Sequence, residues 1–316
     1  MNPQFSVVFL TTASGVGYGM LAWLGVLNAA RLLPGSPWFG IAGTLLGLAL
    51  SAAGLLASTF HLGHPERAWR AVSQWRSSWL SREGVLSLFT NLPALGFAAS
   101  WGIGGGSSVA TVVLGLLTAL CALLTVVSQA MIYASLKPVR QWHNGVVLPV
   151  FLLISLFSGA AWIAALGAFW NSSAARAAMV LALAGAVIAL LVKVVYWRRI
   201  DDARTSTSIE TATGLGALGP VRSLEAPHTQ ENYLLREMGF AIARKHAARL
   251  RRIALLVGFV IPAVLLLIGV AWSGAASVVV LVLAALIAPL GIYVERWLFF
   301  AEATHTVTLY YGRRAG

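Results

Sequence analysis

Cysteine and charged side chains are scarce in this 316-residue chain. The one cysteine, Cys121, cannot form an internal disulfide, and a single thiolate cannot hold an iron–sulfur cluster, so we interpret it as a small core residue. Charged residues are only 10% of the sequence, whereas soluble domains carry about 25%. With 59% hydrophobic residues, this composition excludes a soluble fold and indicates an integral membrane protein.

Long apolar runs fill most of the chain. A helix needs roughly 20 apolar residues to cross a hydrocarbon core about 30 Å thick. A glycine cluster at Gly102–Gly106 divides one double-length run, and Trp272-Ser273-Gly274 divides another. The predicted spans are Phe5–Ala30, Trp38–Phe60, Gly84 to the glycine cluster, the cluster to Leu136, Val146–Trp170, Ala177–Tyr196, Ile253 to the turn at Trp272, and that turn to Val294. The sequence therefore predicts an all-α, polytopic membrane bundle of eight transmembrane helices, forming one domain over residues 1–316.

Basic residues are distributed according to the side of the membrane. The chain has 22 Lys and Arg against 10 Asp and Glu, but the excess does not form the patch of a nucleic-acid site, so lipid and not nucleic acid is the expected partner. Only Arg31 and Arg176 fall in loops on one side. The positive-inside rule therefore predicts a multi-pass protein of the bacterial inner (cytoplasmic) membrane with both termini in the cytoplasm. No basic segment precedes the first apolar run, so we expect that run to be retained as a span.

Residues 198–252 form a long polar loop between the sixth and seventh predicted spans. Its first half is rich in Thr, Ser and Gly, which is typical of a flexible loop or of one ordered by a partner. Its second half predicts a basic amphipathic helix. The apolar positions are Tyr233, Leu234, Met238, Ile242 and Leu250, and the basic ones are Arg236, Arg244, Lys245, Arg249, Arg251 and Arg252. Such a helix either lies on anionic headgroups or docks a cytoplasmic partner, and periodicity does not separate the two.

Small residues in the first two spans are spaced for close helix packing. Gly43, Gly47 and Ser51 repeat at every fourth position, a pattern that favours helix association. The segment Gly15-Val16-Gly17-Tyr18-Gly19 is similar to a potassium-channel filter, but too few residues precede it to supply a pore helix. We interpret it as a second helix-packing face.

Four acidic residues lie near the predicted spans: Glu66, Glu83, Glu295 and Glu302. Ionisable groups at membrane depth are costly, so each is a candidate for function. Ser81 is a candidate N-cap for the third span, which makes Glu83 a first-turn carboxylate favoured by the helix dipole. The alternative interpretation is that Glu83 accepts protons at the membrane surface.

Glu295, Glu302 and His305 fall on one face of the eighth predicted span at helical spacing. A snorkelling or subunit-contact face is our first interpretation of this group. The alternatives are a proton path and a buried polar network.

The six histidines lie outside the middle of the predicted spans. A membrane cytochrome b usually supplies paired axial histidines from within its helices, so we predict no haem in this chain. His61 and His64 are conceivable zinc ligands, but their loop offers no cysteine and no close third ligand. We therefore predict no metal site.

The loop His61-Leu62-Gly63-His64-Pro65-Glu66-Arg67 has the chemistry of a quinone site. Oxidation of a quinol releases electrons and protons, so the site needs hydrogen-bond partners for the ring oxygens and a base, at the edge of the hydrocarbon core. His61 and Glu83, supported by Arg67, meet this need, because histidine titrates near neutrality and can pass a proton to a carboxylate. His64, in the same loop, is a further candidate for binding the quinol.

This part of the sequence resembles the membrane anchor subunit of dimethyl sulfoxide reductase, the DmsC family. The resemblance is carried by His61-Leu62-Gly63, Pro65, Arg67-Ala68 and Leu80-Ser81-Arg82-Glu83, and it is sharpest over about residues 59–88. The number of predicted spans is also similar to that of the family. Two features depart from the family pattern: Arg82 stands where a neutral polar residue is expected, and residues 198–252 form a longer loop.

The resemblance implies a quinol-binding anchor of a molybdenum oxidoreductase complex. Such an anchor is expected to oxidise menaquinol or ubiquinol, to carry no haem or iron–sulfur cluster, and to pass electrons to an iron–sulfur subunit that serves a molybdopterin catalytic subunit. The resemblance assigns His61, Arg67 and Glu83 to the quinol site, with Glu83 as proton acceptor and His61 as a ring-oxygen partner. The alternatives are a haem-bearing cytochrome b and a secondary transporter, although no internal repeat supports the second.

Overall fold

A computed structural model of the protein describes residues 3–170, 173–202, 208–222, 224–225 and 242–311, except for the side chains of residues 61, 242–245, 310 and 311. Within these ranges it contains eight helices long and apolar enough to cross a membrane. This confirms the predicted all-α bundle.

The helices follow the chain in simple order. They are α1 (Phe5–Ala29), α2 (Pro37–Ala57), α3 (Trp79–Gly104), α4 (Val109–Ala134), α5 (Val147–Phe169), α6 (Ala174–Asp202), the short α7 (Ile209–Thr213), α8 (Ile242–Leu255), α9 (Ile261–Ala271) and α10 (Gly274–Ala301). Two 3₁₀-helices, Ser58–His61 and Pro65–Val72, lie between α2 and α3. A π-helical turn, Leu256–Val260, joins α8 to α9, and together they form the seventh span.

Both predicted breaks in the double-length apolar runs are present. α3 ends at Gly104 and is followed by Gly105, whose φ of +69° suits glycine, before α4 begins at Val109. Gly274, with a φ of +66°, lies at the corresponding turn between α9 and α10. Because successive spans alternate in direction, the basic loops after α2, α4 and α6 lie at one end of the bundle, which we call the basic face. The other end is the opposite face.

Several helices differ from the predicted boundaries: α3 begins at Trp79 and not at Gly84, and α10 continues to Ala301 and not only to Val294. The prediction ended the sixth span at Tyr196, but α6 continues to Asp202 because Tyr196 and Trp197 are buried against neighbouring helices. α8 begins at Ile242, so the last part of the predicted amphipathic helix is helical and leads directly into the seventh span. The earlier part of that predicted helix, residues 233–241, lies outside the described residues.

α1 lies at the centre of the bundle, in contact with α2, α4 and α5. Its glycines allow close approach of neighbouring backbones: a Cβ on Gly19 would lie 1.8 Å from the carbonyl oxygen of Ser155 in α5. A Cβ on Gly17 would lie 2.5 Å from the carbonyl oxygen of Gly47 in α2. No side chain fits at these distances, so the predicted packing role of the small residues is confirmed.

An aromatic cluster packs α4 against α10 at the basic face. The ring centroid of Tyr133, on α4, lies 5.2 Å from that of Trp142 and 5.4 Å from that of Phe299. Trp142, in the loop between α4 and α5, also donates from Nε1 to the carbonyl oxygen of Phe299, 2.9 Å away. These contacts hold the end of α4 against α10.

Candidate functional site

A cavity of about 870 Å³ lies at the basic face, between the ends of the first four spans and the loop that follows α2. Its wall is mostly apolar. The polar side chains that line it are Ser58, Thr59, His64, Arg67, Glu83, Ser87, Gln129 and Tyr133. A large apolar cavity with a small number of polar groups is typical of a site for an organic ligand.

Glu83 lies on α3 at the cavity wall, with 4% of its surface exposed. Its Oε1 accepts a hydrogen bond from Gln129 Nε2 of α4, 2.9 Å away. The same amide nitrogen donates to Ser14 Oγ of α1 at 3.1 Å. Among the described residues, no basic side chain forms an ion pair with Glu83. A neutral partner therefore holds this carboxyl group between three helices.

The start of α3 differs from the sequence prediction. Ser78, and not Ser81, is the N-cap: its Oγ accepts from the backbone N–H of Ser81 at 3.4 Å, and the helix begins at Trp79. Glu83 therefore lies beyond the free N–H groups of the first turn. The capping interpretation of Glu83 is wrong, because the helix starts earlier than predicted.

Arg82, the departure from the family pattern, binds the loop that precedes α3. Its Nε donates to the carbonyl oxygen of Trp75 at 3.0 Å, and its Nη2 donates to that of Arg76 at 2.7 Å. Its guanidinium carbon also lies 4.2 Å from the ring centroid of Trp79. These contacts engage Arg82 with the loop, so its positive charge does not form an ion pair with Glu83.

His64 and Arg67 lie in the loop after α2, where Pro65 opens the 3₁₀-helix Pro65–Val72. His64 Nδ1 lies 3.0 Å from Glu66 Oε1, and Arg67 Nε lies 3.7 Å from the same oxygen. All three of these side chains are more than half exposed. The structure thus brings His64 and Arg67 to the same cavity as Glu83, as the loop motif predicts.

His61 ends the 3₁₀-helix Ser58–His61, beside Ser58 and Thr59 of the cavity wall. Its side chain lies outside the described residues. Its role as a ring-oxygen partner stays a prediction.

Known proteins match this chain over nearly its whole length. The model of the DMSO reductase anchor subunit (DmsC) family matches residues 1–312. The chain belongs to this family. It is also similar to a subunit of the sulfite dehydrogenase of Allochromatium vinosum, with 35% identity over 327 residues, covering 98% of this chain and 99% of that protein. The protein is thus a membrane anchor subunit of a molybdoenzyme complex, with catalytic and electron-transfer subunits as partners.

Sequence reasoning missed two cavity residues of this anchor subunit, Gln129 and Tyr133. Both lie on α4, four residues apart and so on one helical face. Gln129 is 1% exposed, and its Oε1 has no hydrogen-bond partner among the described residues. The signal that could have found it was the cost of placing an amide in an apolar span, which makes such a residue a candidate for function.

Sequence reasoning also missed Lys193 and Arg296, which form an ion cluster with Glu295. Lys193 Nζ pairs with Glu295 Oε1, and Arg296 Nη1 lies 3.5 Å from Glu295 Oε2. The side chains are 0%, 1% and 0% exposed for Lys193, Arg296 and Glu295, respectively. The Lys193 ammonium lies 4.0 Å from the ring centroid of Tyr196, and the Arg296 guanidinium lies 3.6 Å from that of Phe151.

This cluster corrects the first interpretation of Glu295. A snorkelling or subunit-contact side chain would be exposed at the end of its helix, but Glu295 is fully buried between α6 and α10. The alternative of a buried polar network is the one that the structure supports. The reason is Lys193, which supplies a countercharge from a different helix.

His305 lies beyond the end of α10 at Ala301, so it does not share a helical face with Glu295, whereas Glu302 is the C-cap of that helix and its N–H donates to the carbonyl oxygen of Leu298. Glu302 accepts from Arg251 Nε at 2.7 Å and from Trp197 Nε1 at 3.2 Å, which ties α6, α8 and α10 together. His305 pairs through its backbone with Val139, and partial burial lowers the pKa of its imidazole below the usual value.

Histidine, cysteine and acidic side chains do not gather into a metal site in the described part of the chain, where no three of them could hold an ion together. The absence of haem and of an iron–sulfur cluster from this chain stays a prediction.

Proposed function

We propose that this anchor subunit oxidises a quinol, either menaquinol or ubiquinol, in the cavity around Glu83, and that it passes the electrons to an iron–sulfur subunit serving a molybdopterin catalytic subunit. The observation that carries the proposal is one buried carboxyl group, without a cationic partner among the described residues, at the wall of an 870 Å³ apolar cavity. Apolar walls suit the ring and tail of a quinol, and a carboxylate suits its proton.

The residues around the cavity have different roles in this reaction. A bound quinol supplies two electrons and two protons when it is oxidised. Glu83 is placed to accept a proton from a ring hydroxyl, and Gln129 fixes the orientation of that carboxylate through its hydrogen bond. His64 and Arg67, more exposed, provide hydrogen-bond donors for the other ring oxygen. His61 is assigned to a ring oxygen by family likeness.

A second candidate is the same site working in the other direction, with quinone as the electron acceptor. It is favoured by the similarity to a sulfite dehydrogenase subunit, because a dehydrogenase removes electrons from its substrate. The same proton-transfer residues serve both directions, since Glu83 would then return a proton to the ring oxygen.

We also propose that the protein lies in the bacterial inner membrane with its basic face in the cytoplasm. The distribution of Lys and Arg supports this orientation. We expect the iron–sulfur partner to dock at the same face, because the cavity lies there and the path for electrons is then short.

The test is to purify the complex through this chain in mild detergent and to identify its subunits by mass spectrometry. We expect an iron–sulfur subunit and a molybdopterin subunit, together with oxidation of an added quinol that is lost in Glu83→Gln. Turnover of sulfite with an added quinone, and none with a quinol, would select the reverse direction. Purification of the chain alone, or normal quinol turnover in Glu83→Gln, would contradict the proposed site.

A further inference from the structure

A second cavity, of about 260 Å³, lies at the opposite face, far from the quinol pocket. It lies between the loop that follows α1, which contributes Asn28 and Arg31, and the glycine-rich loop that precedes α4, which contributes Gly105, Gly106 and Ser107. From the sequence alone, this glycine cluster predicts only a break between two spans. Its position beside an arginine indicates a binding role.

Two buried N–H donors lack a partner among the described residues: Asn28 lines the cavity, and Trp101 packs against Gly106 of its glycine loop. Asn28 is 4% exposed and Trp101 is fully buried, and neither Asn28 Nδ2 nor Trp101 Nε1 has a hydrogen-bond partner among the described residues. A Cβ on Gly106 would lie 2.9 Å from Asn28 Oδ1 and 3.1 Å from Trp101 Cε2, so both side chains lie against the backbone of the glycine loop. Buried donors are costly when they are unpaired, which favours a ligand that accepts hydrogen bonds.

The charge around the cavity is positive. Arg31 has a φ of +58°, a conformation uncommon for a residue with a side chain, and its backbone N–H is held by the carbonyl oxygen of Asn28 at 2.9 Å. The glycine loop leads into the N-terminus of the 26-residue helix α4, where the helix dipole adds positive potential. The segments that join the spans on this face carry Arg31 and, just beyond them, Arg176, but no Asp or Glu, so no carboxylate competes for these cations.

Exposed apolar side chains flank the cavity-lining segments in the sequence. Ile103 is 90% exposed just before the glycine loop, and Leu32 and Trp38, in and just after the loop that follows α1, are 46% and 72% exposed. In a membrane protein, such side chains at the end of a bundle contact lipid, with tryptophan at the level of the headgroups. The ligand should therefore carry an anionic head for the donors and hydrocarbon tails for the surrounding apolar surface.

We propose that this cavity binds the phosphate of an anionic phospholipid in the leaflet of the opposite face, with Arg31 and Asn28 as its ligands. The guanidinium forms charge-assisted hydrogen bonds to the phosphate oxygens, and the Asn28 amide donates a further one. The lipid anchors the ends of α1 and α2 and the loop before α4 to one another. This proposal does not depend on the quinol site.

The test is lipid binding by the purified complex in nanodiscs of phosphatidylcholine, with and without phosphatidylglycerol. We expect phosphatidylglycerol to raise the Tm of the wild-type complex and to be retained in native mass spectra. Arg31→Asn removes the guanidinium while placing a residue that tolerates positive φ, and it should weaken retention about tenfold or more. Arg176→Asn, on the same face, is the matched control and should retain the lipid.

A second variant keeps the test decisive if Arg31→Asn does not assemble. Asn28→Asp has nearly the same shape but brings a negative charge into the cavity, so it should abolish the Tm increase. Inorganic phosphate at the same concentration as the lipid should have no effect. The proposal is overturned if Asn28→Asp or Arg31→Asn binds phosphatidylglycerol as the wild type does, if Arg176→Asn loses it equally, or if inorganic phosphate reproduces the effect.

Discussion

Glu83 and Glu295 are two buried glutamates near the same end of the bundle, and their surroundings differ in kind. Glu83 accepts a hydrogen bond from the neutral amide of Gln129 and faces a large cavity. Glu295 lies between the cations Lys193 and Arg296, and it lines neither this cavity nor the smaller one at the opposite face.

The two glutamates are alike in burial and differ in partner and access, and these two properties decide whether a carboxyl group can readily exchange a proton. If Glu295 gained a proton, two buried cations would lose their countercharge, which is strongly unfavourable. If Glu83 gained a proton, no cation among the described residues would lose an ion-pair partner, and the cavity gives a ligand access to the carboxyl group. Glu83 is thus suited to proton exchange and Glu295 to holding α6 against α10.

The largest expected effect is that of Glu83→Gln on turnover. The variant keeps the shape of the side chain and its contact with Gln129, so the complex should assemble normally. A positioned acid or base contributes about 10²–10⁴-fold to a rate, so quinol oxidation should fall at least about 100-fold. The rate is measured with an added quinol in membranes that contain all subunits.

The matched control for Glu83→Gln is Asp202→Asn, which neutralises an exposed acid at the end of α6. It should oxidise quinol at the wild-type rate. Equal losses in the two variants would show that Glu83 acts through the net charge of the basic face and not through proton transfer.

The second effect is that of Glu295→Gln on stability. It leaves Lys193 and Arg296 buried without a carboxylate, which should cost about 3–5 kcal/mol. The amount of assembled subunit should fall, while the turnover per assembled complex is kept. Quantitative immunoblots of membranes and the rate per copy separate these two readouts.

A triple variant removes all three charges of the ion cluster at once: Lys193→Met, Glu295→Leu and Arg296→Met. Because it leaves none of these charges buried without a partner, the amount of assembled subunit should recover towards the wild-type level. If this triple variant is less stable than Glu295→Gln, the residues are needed for more than charge balance.

The third effect is that of Gln129→Leu. The variant removes the only hydrogen-bond donor that the described residues offer to the Glu83 carboxylate, and it also removes the hydrogen bond that Ser14 Oγ accepts, although Ser14 Oγ still donates to the carbonyl oxygen of Leu10. A hydrogen bond to a charged group contributes about 1.5–3 kcal/mol, so we expect kcat to fall about tenfold or more. Thr118→Val is the control on the same helix, because the Thr118 hydroxyl donates to the carbonyl oxygen of Leu114 in its own helix and does not line the cavity. A loss of kcat in the control as large as in Gln129→Leu would indicate that disturbance of α4, and not of Glu83, is the cause.

Most of the fold and part of the site follow from the sequence. The spans are predicted because membrane crossing sets a minimum length of apolar chain, and the turns are predicted because glycine tolerates positive φ at Gly105 and Gly274. Gln129 and Lys193 were missed because their importance depends on partners from other helices, and the linear sequence does not show which residues meet across a bundle. The cost of polar groups in membrane spans makes both residues candidates for function, but that cost does not show which partners they have.

The smallest expected effect is that of His64→Ala, which completes the contrast between exposed and buried charge. The contact between His64 Nδ1 and Glu66 Oε1 is 3.0 Å long but more than half exposed on both sides, and such pairs contribute about 0–1 kcal/mol. The subunit should therefore assemble like the wild type, unlike Glu295→Gln. Because His64 lines the cavity beside Arg67, KM for quinol should rise about threefold to tenfold with kcat nearly unchanged. His143→Ala serves as the control, since that exposed histidine bonds the backbone of Ala134 away from the cavity wall. A fall in kcat as large as that of Glu83→Gln would instead make His64 the proton acceptor, and the buried carboxyl group would lose the role that its position gives it.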